Sequence, residues 1–210
     1  MQTDKVPQNT LKLMPIVAKM LPEDSYLAGG TALTLHLNHR KSFDLDLYSP
    51  RKFQIEEQVQ RFEEGVESFK LTSTSWQTVL GKSGDTEISL FYYKYKLLWD
   101  TSEFQDLEIA SIEDIAAMKI EAISGRGLKR DYFDIFSICQ LGGWDLSKIV
   151  NLNQKKYERN GSNMAHILKS LVYFGDAESF SERAEEVEES WREVKRFFEI
   201  ETRRLVKLFL

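Results

Sequence analysis

The sequence predicts an α+β protein: a mixed sheet with helices, followed by a helical C-terminal half. Three observations predict it. Segments with strand-like alternation are confined to the region before residue 110, while apolar residues after it recur at helical spacing. The 210 residues, 42% of them apolar, suffice for one good core or a core plus a helical extension. Strands that cluster early and helices that cluster late are the order of an α+β chain, with a boundary at 110/111.

The elements follow in sequence. A helix is expected over 8–20, then a short apolar strand over 25–28. Gly29-Gly30 reads as a strand-to-helix turn, because 31–37 is rich in helix formers with Leu33 and Leu37 four apart. A strand over 43–48, a helix over 54–64 and a strand region over 68–110 complete the first half, with a hairpin-like turn at Gly81-Lys82-Ser83-Gly84. Ser111-x-x-Asp114 resembles a capping box, and Ile112, Ile115, Ala116, Lys119, Ile120 and Ile123 follow at helical spacing. Gly125-Arg126-Gly127 breaks that helix. The next carries Asp131 and Asp134 three apart, then the apolar run 133–139. Helices are expected over 145–156, 164–174 and 181–210. The last carries Val187, Trp191, Val194, Phe197 and Phe198 on one face, for a core or a partner.

The chemistry concentrates in two blocks. In Phe43-Asp44-Leu45-Asp46-Leu47, strand alternation projects Asp44 and Asp46 together and the apolar residues toward a core. At roughly 5 Å and an effective dielectric near 20, two such charges repel by about 3 kcal/mol. A hard cation would offset this, and Mg²⁺ commonly binds one or two carboxylates plus substrate phosphates. An amphipathic strand with a wetted acidic face also gives this pattern. The glycines Gly29 and Gly30 permit close backbone approach at a helix start, where unpaired amides can cradle phosphate. A plain tight turn is the other reading.

Together, Leu27-Ala28-Gly29-Gly30-Thr31-Ala32-Leu33 and His39-Arg40-Lys41-Ser42-Phe43-Asp44-Leu45-Asp46-Leu47 resemble the polymerase-β-like nucleotidyltransferase superfamily, and within it the AbiEii/AbiGii toxin family. Ser111 to Lys119, with Arg126 and Lys129-Arg130-Asp131, is similar to that family's third motif, a lysine followed downstream by a basic residue and aspartate. The resemblance covers most of the chain. It implies a nucleotidyltransferase α/β core over 1–110 and a helical region over 111–210. It also implies an enzyme that moves an NMP from an NTP to an acceptor hydroxyl, most plausibly an RNA (tRNA) 3′ end, as the toxin of a type IV toxin–antitoxin or abortive-infection system.

By this resemblance Asp44 and Asp46 hold Mg²⁺ (or Mn²⁺), while Gly29, Gly30, Thr31, Arg40 and Ser42 lie at the nucleotide. Lys119 and Arg126 meet its phosphates, and Asp131 serves catalysis or orients Lys119 or Arg126. A snorkelling lysine and helix-start acids are the alternative readings of Lys119 and Asp131. The superfamily's third carboxylate has Glu87 as its candidate, on the face it shares with Ser89 and Phe91. A one-residue register shift would put Ser89 or nothing there. Transfer to a protein or small-molecule hydroxyl, and a nucleotide-binding partner protein without turnover, remain the competing functions.

Other chemistry has less support. No P-loop pattern is present, His36, His39 and His166 lack zinc spacing, and Cys139 is the single cysteine, as in a reducing cytoplasm. The charge of −5 argues against broad electrostatic capture of nucleic acid, leaving local clusters such as Lys155, Lys156 and Arg159, which also read as a solvated surface. With no long apolar segment, a cytoplasmic protein with no membrane association is expected, with an antitoxin encoded nearby as partner.

Overall fold

The computed structural model describes residues 1–159 and 163–209. The chain divides into two compact units, Met1–Ser111 and Ile112–Leu210. The first holds a seven-stranded mixed sheet among the described residues, in the order β3-β4-β5-β2-β1-β7-β6. Its elements are α1 (Gln8–Ala18), β1 (Tyr26–Ala28), α2 (Gly29–Leu37), β2 (Leu45–Ser49), α3 (Ile55–Gly65), β3 (Lys70–Ser75), β4 (Thr78–Ser83), β5 (Thr86–Tyr92), β6 (Ser102–Phe104) and β7 (Leu107–Ile109). Central β2 runs antiparallel to β1 and parallel to β5, and β1 is parallel to β7.

Alternation along the central strands separates two faces. Leu45, Leu47, Ile88, Leu90 and Val79 are fully buried. Their neighbours Asp46, Tyr48, Ser89 and Phe91 project the other way and stay partly exposed. Burying an aliphatic side chain of this size contributes about 1.5–3 kcal/mol, so a one-residue slip of β2 would be strongly opposed.

β2 begins two residues later than the sequence suggests, and Asp44 lies just ahead of it. The cause is local. The pairing Leu45↔Ile88, continued backward, would set Phe43 against Thr86. There the Thr10 hydroxyl of α1 donates to the Phe43 carbonyl (3.1 Å) and bonds the Thr86 hydroxyl (2.9 Å), standing in for the next rung of the ladder. The Asp44 carbonyl is bonded by the Thr31 hydroxyl.

The second unit is helical: α4 (Ile112–Gly125), α5 (Lys129–Gly142), α6 (Leu146–Lys156), α7 (Met164–Ser170), α8 (Gly175–Glu178) and α9 (Glu185–Phe209). The expected helix over 164–174 is interrupted after Ser170, and the last helix starts at Glu185; Leu210 lies outside the described residues. Tyr132 sits at the centre, wholly buried, with the rings of Phe174, Trp191 and Phe198 within 5.0–5.8 Å. Its hydroxyl lies 2.8 and 2.7 Å from the carbonyls of Ser170 and Tyr173. Val187, Trp191, Val194 and Phe198 of α9 are buried, so that apolar face is used within the unit.

Candidate active site

The first unit gathers the glycine turn, the Arg40–Ser42 loop and the carboxylates. Helix α2 starts at Gly29 itself, directly after β1, with the backbone of Ala28 extended and offering no side-chain cap. Its first amides therefore have no partner within the helix, at the positive end of its dipole. Gly29 has φ +69°, and a Cβ there would collide with Oδ2 of Asp46. The Asp46 carboxylate thus overhangs the helix start. A Cβ on Gly30 would meet the Arg40 guanidinium and lie 3.0 Å from Ser42 Oγ. Both glycines are fixed by close approach.

The loop that delivers Arg40 and Ser42 is ordered by hydroxyls. Thr34 donates to the Arg40 carbonyl (3.0 Å), and the Ser42 amide donates to the Lys5 carbonyl (3.2 Å). Thr31 Oγ1 bonds Ser42 Oγ (2.9 Å) as well as the Asp44 carbonyl. Arg40 and Ser42 are buried, so of the two sequence readings of this loop the wet one applies only to exposed Lys41.

Register settles which residues share the acidic face. Asp46 pairs with Ser89 and with Ala28. Glu87 lies two residues before Ser89, on the same face and exposed. No three His, Cys, Asp or Glu side chains converge on a metal-sized site among the described residues. Asp44 and Asp46 are both half-buried, and Asp46 lies over the start of α2. Two carboxylates are a donor set that would fit a hard divalent cation shared with phosphate oxygens.

In the helical unit Lys119 is buried with its ammonium 2.8 Å from Asp131 Oδ1 and 2.7 Å from Asp134 Oδ2. The two aspartates share one face of α5, as their spacing requires. Arg126 is exposed. The Lys155–Lys156–Arg159 cluster is not a basic surface patch. Lys156 is fully buried against Asp114 (2.6 Å), and Arg159 is bidentate to Glu121 (2.6 and 2.8 Å). Asp114, read from sequence as a capping residue, is thereby part of a buried ion pair.

Two contributors escaped the motifs. Thr10 shapes the start of β2 from a distant helix, and no local pattern marks it. Tyr48 had a signal, since it follows Asp46 by two residues and so shares its face.

Residues 84–204 match the family described as nucleotidyl transferase AbiEii toxin of type IV toxin–antitoxin systems. The chain belongs to the AbiEii nucleotidyltransferase toxin family. The matched span takes in Glu87, Lys119, Arg126 and Asp131, whereas the Gly29–Asp46 segment lies before it. An uncharacterized protein of Aquifex aeolicus (strain VF5), aq_aa25, is 38% identical over 213 residues, covering 94% of each chain. Among solved structures, MenT4, a nucleotidyltransferase toxin of Mycobacterium tuberculosis H37Rv, has TM-score 0.53 at 14% identity over 89% of this chain and 78% of its own. The antibiotic-resistance factor ANT(2'')-Ia has TM-score 0.52 at 18% identity over 76% and 96%. JHP933 from Helicobacter pylori has TM-score 0.50 at 19% identity over 95% and 93%. At such identities these structures show the shared fold, a nucleotidyltransferase mixed sheet with helices. AbiEii membership marks the chain as a transferase of nucleotidyl groups. No helix among the described residues is long and apolar enough to cross a membrane.

Proposed function

We propose that this AbiEii protein transfers an NMP from an NTP to the 3′ hydroxyl of an RNA, tRNA being the leading acceptor, and acts as a toxin opposed by an antitoxin encoded nearby. One observation carries the reading: the Asp46 carboxylate overhangs Gly29, where the uncapped amides of α2 begin. A phosphate cradle and a cation-binding carboxylate pair adjoin within one loop system.

In this reading the amides from Gly29 to Thr31, with Arg40 and Ser42, bind and orient the β- and γ-phosphates. Asp44 and Asp46 would hold Mg²⁺ or Mn²⁺, which supplies charge neutralisation at the transferring phosphoryl group. The acceptor hydroxyl oxygen attacks the α-phosphorus in line; the bond to the bridging oxygen breaks, and pyrophosphate leaves toward the amides. Glu87, two residues before Ser89 on the face of Asp46, lies on the glycine-turn side, so solvent is assigned to receive the hydroxyl proton. Lys119, Arg126 and Asp131 enter the proposal through the family block that they match, with Asp131 orienting Lys119 through their 2.8 Å contact.

The test is transfer of α-³²P label from each NTP, with Mg²⁺, into total RNA and total protein, comparing wild type with Asp44→Ala/Asp46→Ala. We expect label on RNA that the double variant loses by at least about a thousandfold, the scale on which preorganised charge acts. Label on protein would replace RNA by a protein acceptor. No label on either would favour a small-molecule acceptor or a binding protein without turnover.

A further inference from the structure

The sheet face that carries Asp46 has a second row beside it. Pairing aligns Ala28, Asp46, Ser89 and Leu80 across four strands, and two residues away it aligns Tyr26, Tyr48, Phe91 and Thr78. Tyr48 is stacked on buried Tyr26 with ring centroids 5.7 Å apart and planes 18° apart, and Phe91 lies 5.5 Å from it on the other side. Tyr48 and Phe91 are only partly buried. Just past β5, Tyr93 meets Tyr48 edge-on at 5.2 Å, and Tyr95 follows at 5.4 Å. Exposed Lys94 stands between these tyrosines in sequence, its ammonium 5.1 Å from the Tyr95 ring.

The direction of the reaction gives this row its meaning. β1 runs from Tyr26 through Ala28 into Gly29, so along the sheet Asp46 stands between the aromatic row and the glycine turn. Pyrophosphate departs toward the glycine turn, and an in-line attack brings the hydroxyl from the opposite side. That side is the aromatic row, two residues or roughly 6.5 Å along the strand from Asp46. This is about the span of a ribose between its hydroxyl and its base. We infer that Tyr48, Phe91 and Tyr93 form a stacking shelf for the terminal base of a single-stranded RNA acceptor, with Lys94 beside it for backbone phosphate. Rings with an interleaved cation are the means by which proteins hold single strands without reading sequence. A polycationic sugar would instead meet Lys94 as a like charge.

The inference rests on the transfer reading of the same site, but binding tests it separately. The probe is a fluorescently labelled single-stranded RNA oligonucleotide with a free 3′ hydroxyl, compared by anisotropy with the same oligonucleotide whose 3′-terminal residue is abasic. On the wild-type chain we expect the abasic end to weaken binding about tenfold or more, the scale of one stacked base. Tyr48→Leu and Tyr93→Leu, which keep apolar volume, should erase that difference, and Tyr48→Phe should retain it. Equal affinity of both oligonucleotides for wild type would overturn the shelf, and so would a difference that survives both leucine variants or an absence of RNA binding. Base-dependent binding without transfer of labelled nucleotide would support the shelf and overturn the transferase reading.

Discussion

Gly29 shows how one residue type can be dictated by its neighbours. Its φ of +69° costs an L-residue about 1–2 kcal/mol, and the space a Cβ would need belongs to Asp46 Oδ2. Gly29→Ala should therefore do two separable things. Urea denaturation should register a loss of about 1–2 kcal/mol, while transfer should fall well over tenfold because Asp46 is displaced. An alanine variant with wild-type transfer would show that the overhanging carboxylate has no part in the reaction. The orientation of Asp46 was legible in the sequence, since period two on a strand sets it opposite Leu45 and Leu47, whereas Asp44 lies ahead of β2 and outside that argument. Thr10 was not. Its partner Phe43 is 33 residues away, and nothing local tells a wedge-forming hydroxyl from any other threonine on a helix.

At the scale of elements, the strands and helices were legible where periodicity was strong, and their ends were not. β2 was expected from residue 43 and begins at Leu45 because two threonine hydroxyls take the carbonyls that a longer ladder would use. The basic triplet in and after α6 misled for a related reason: charge in a sequence does not show which side chains will be turned inward. Lys156 joins α6 to α4 through Asp114, both fully buried. Asp114→Ala would leave a buried ammonium and should cost about 3–5 kcal/mol in chemical denaturation. The double variant Asp114→Leu/Lys156→Met should recover most of that loss, because a buried pair is offset by its own desolvation. If the double variant were as unstable as the single, the pair would be worth more than apolar packing.

For the molecule as a whole, the AbiEii match spans the boundary between the two units, while the residues of the candidate cradle all fall in the first. The second unit gives the chain a defined weakness toward base. Burial, with Glu201 and Asp145 adding to it, pushes the Cys139 thiol from 9.0 up to about 12. Burial, then Asp131 and Asp176, raises the Tyr132 phenol above its ordinary 10.0. The unfolded chain releases both protons near their ordinary values and the folded chain keeps them, so stability is intact below pH 9 and is lost as pH rises past 9 and 10. Melting temperature should fall across that interval, and Cys139→Ala should flatten its first part. An unaltered profile in that variant would remove the thiol from the account.

Thr31 sits in the first turn of α2 and holds the backbone of Asp44, so the strip proposed to grip phosphate and the strip proposed to grip a cation are mechanically one piece. Occupying either should tighten the other, reciprocally and by the same factor. Calorimetric titration of NTP at several Mg²⁺ concentrations reads that factor, with chelation in solution common to every variant. It should shrink in Thr31→Val, and an unchanged factor would mean that the two strips respond independently.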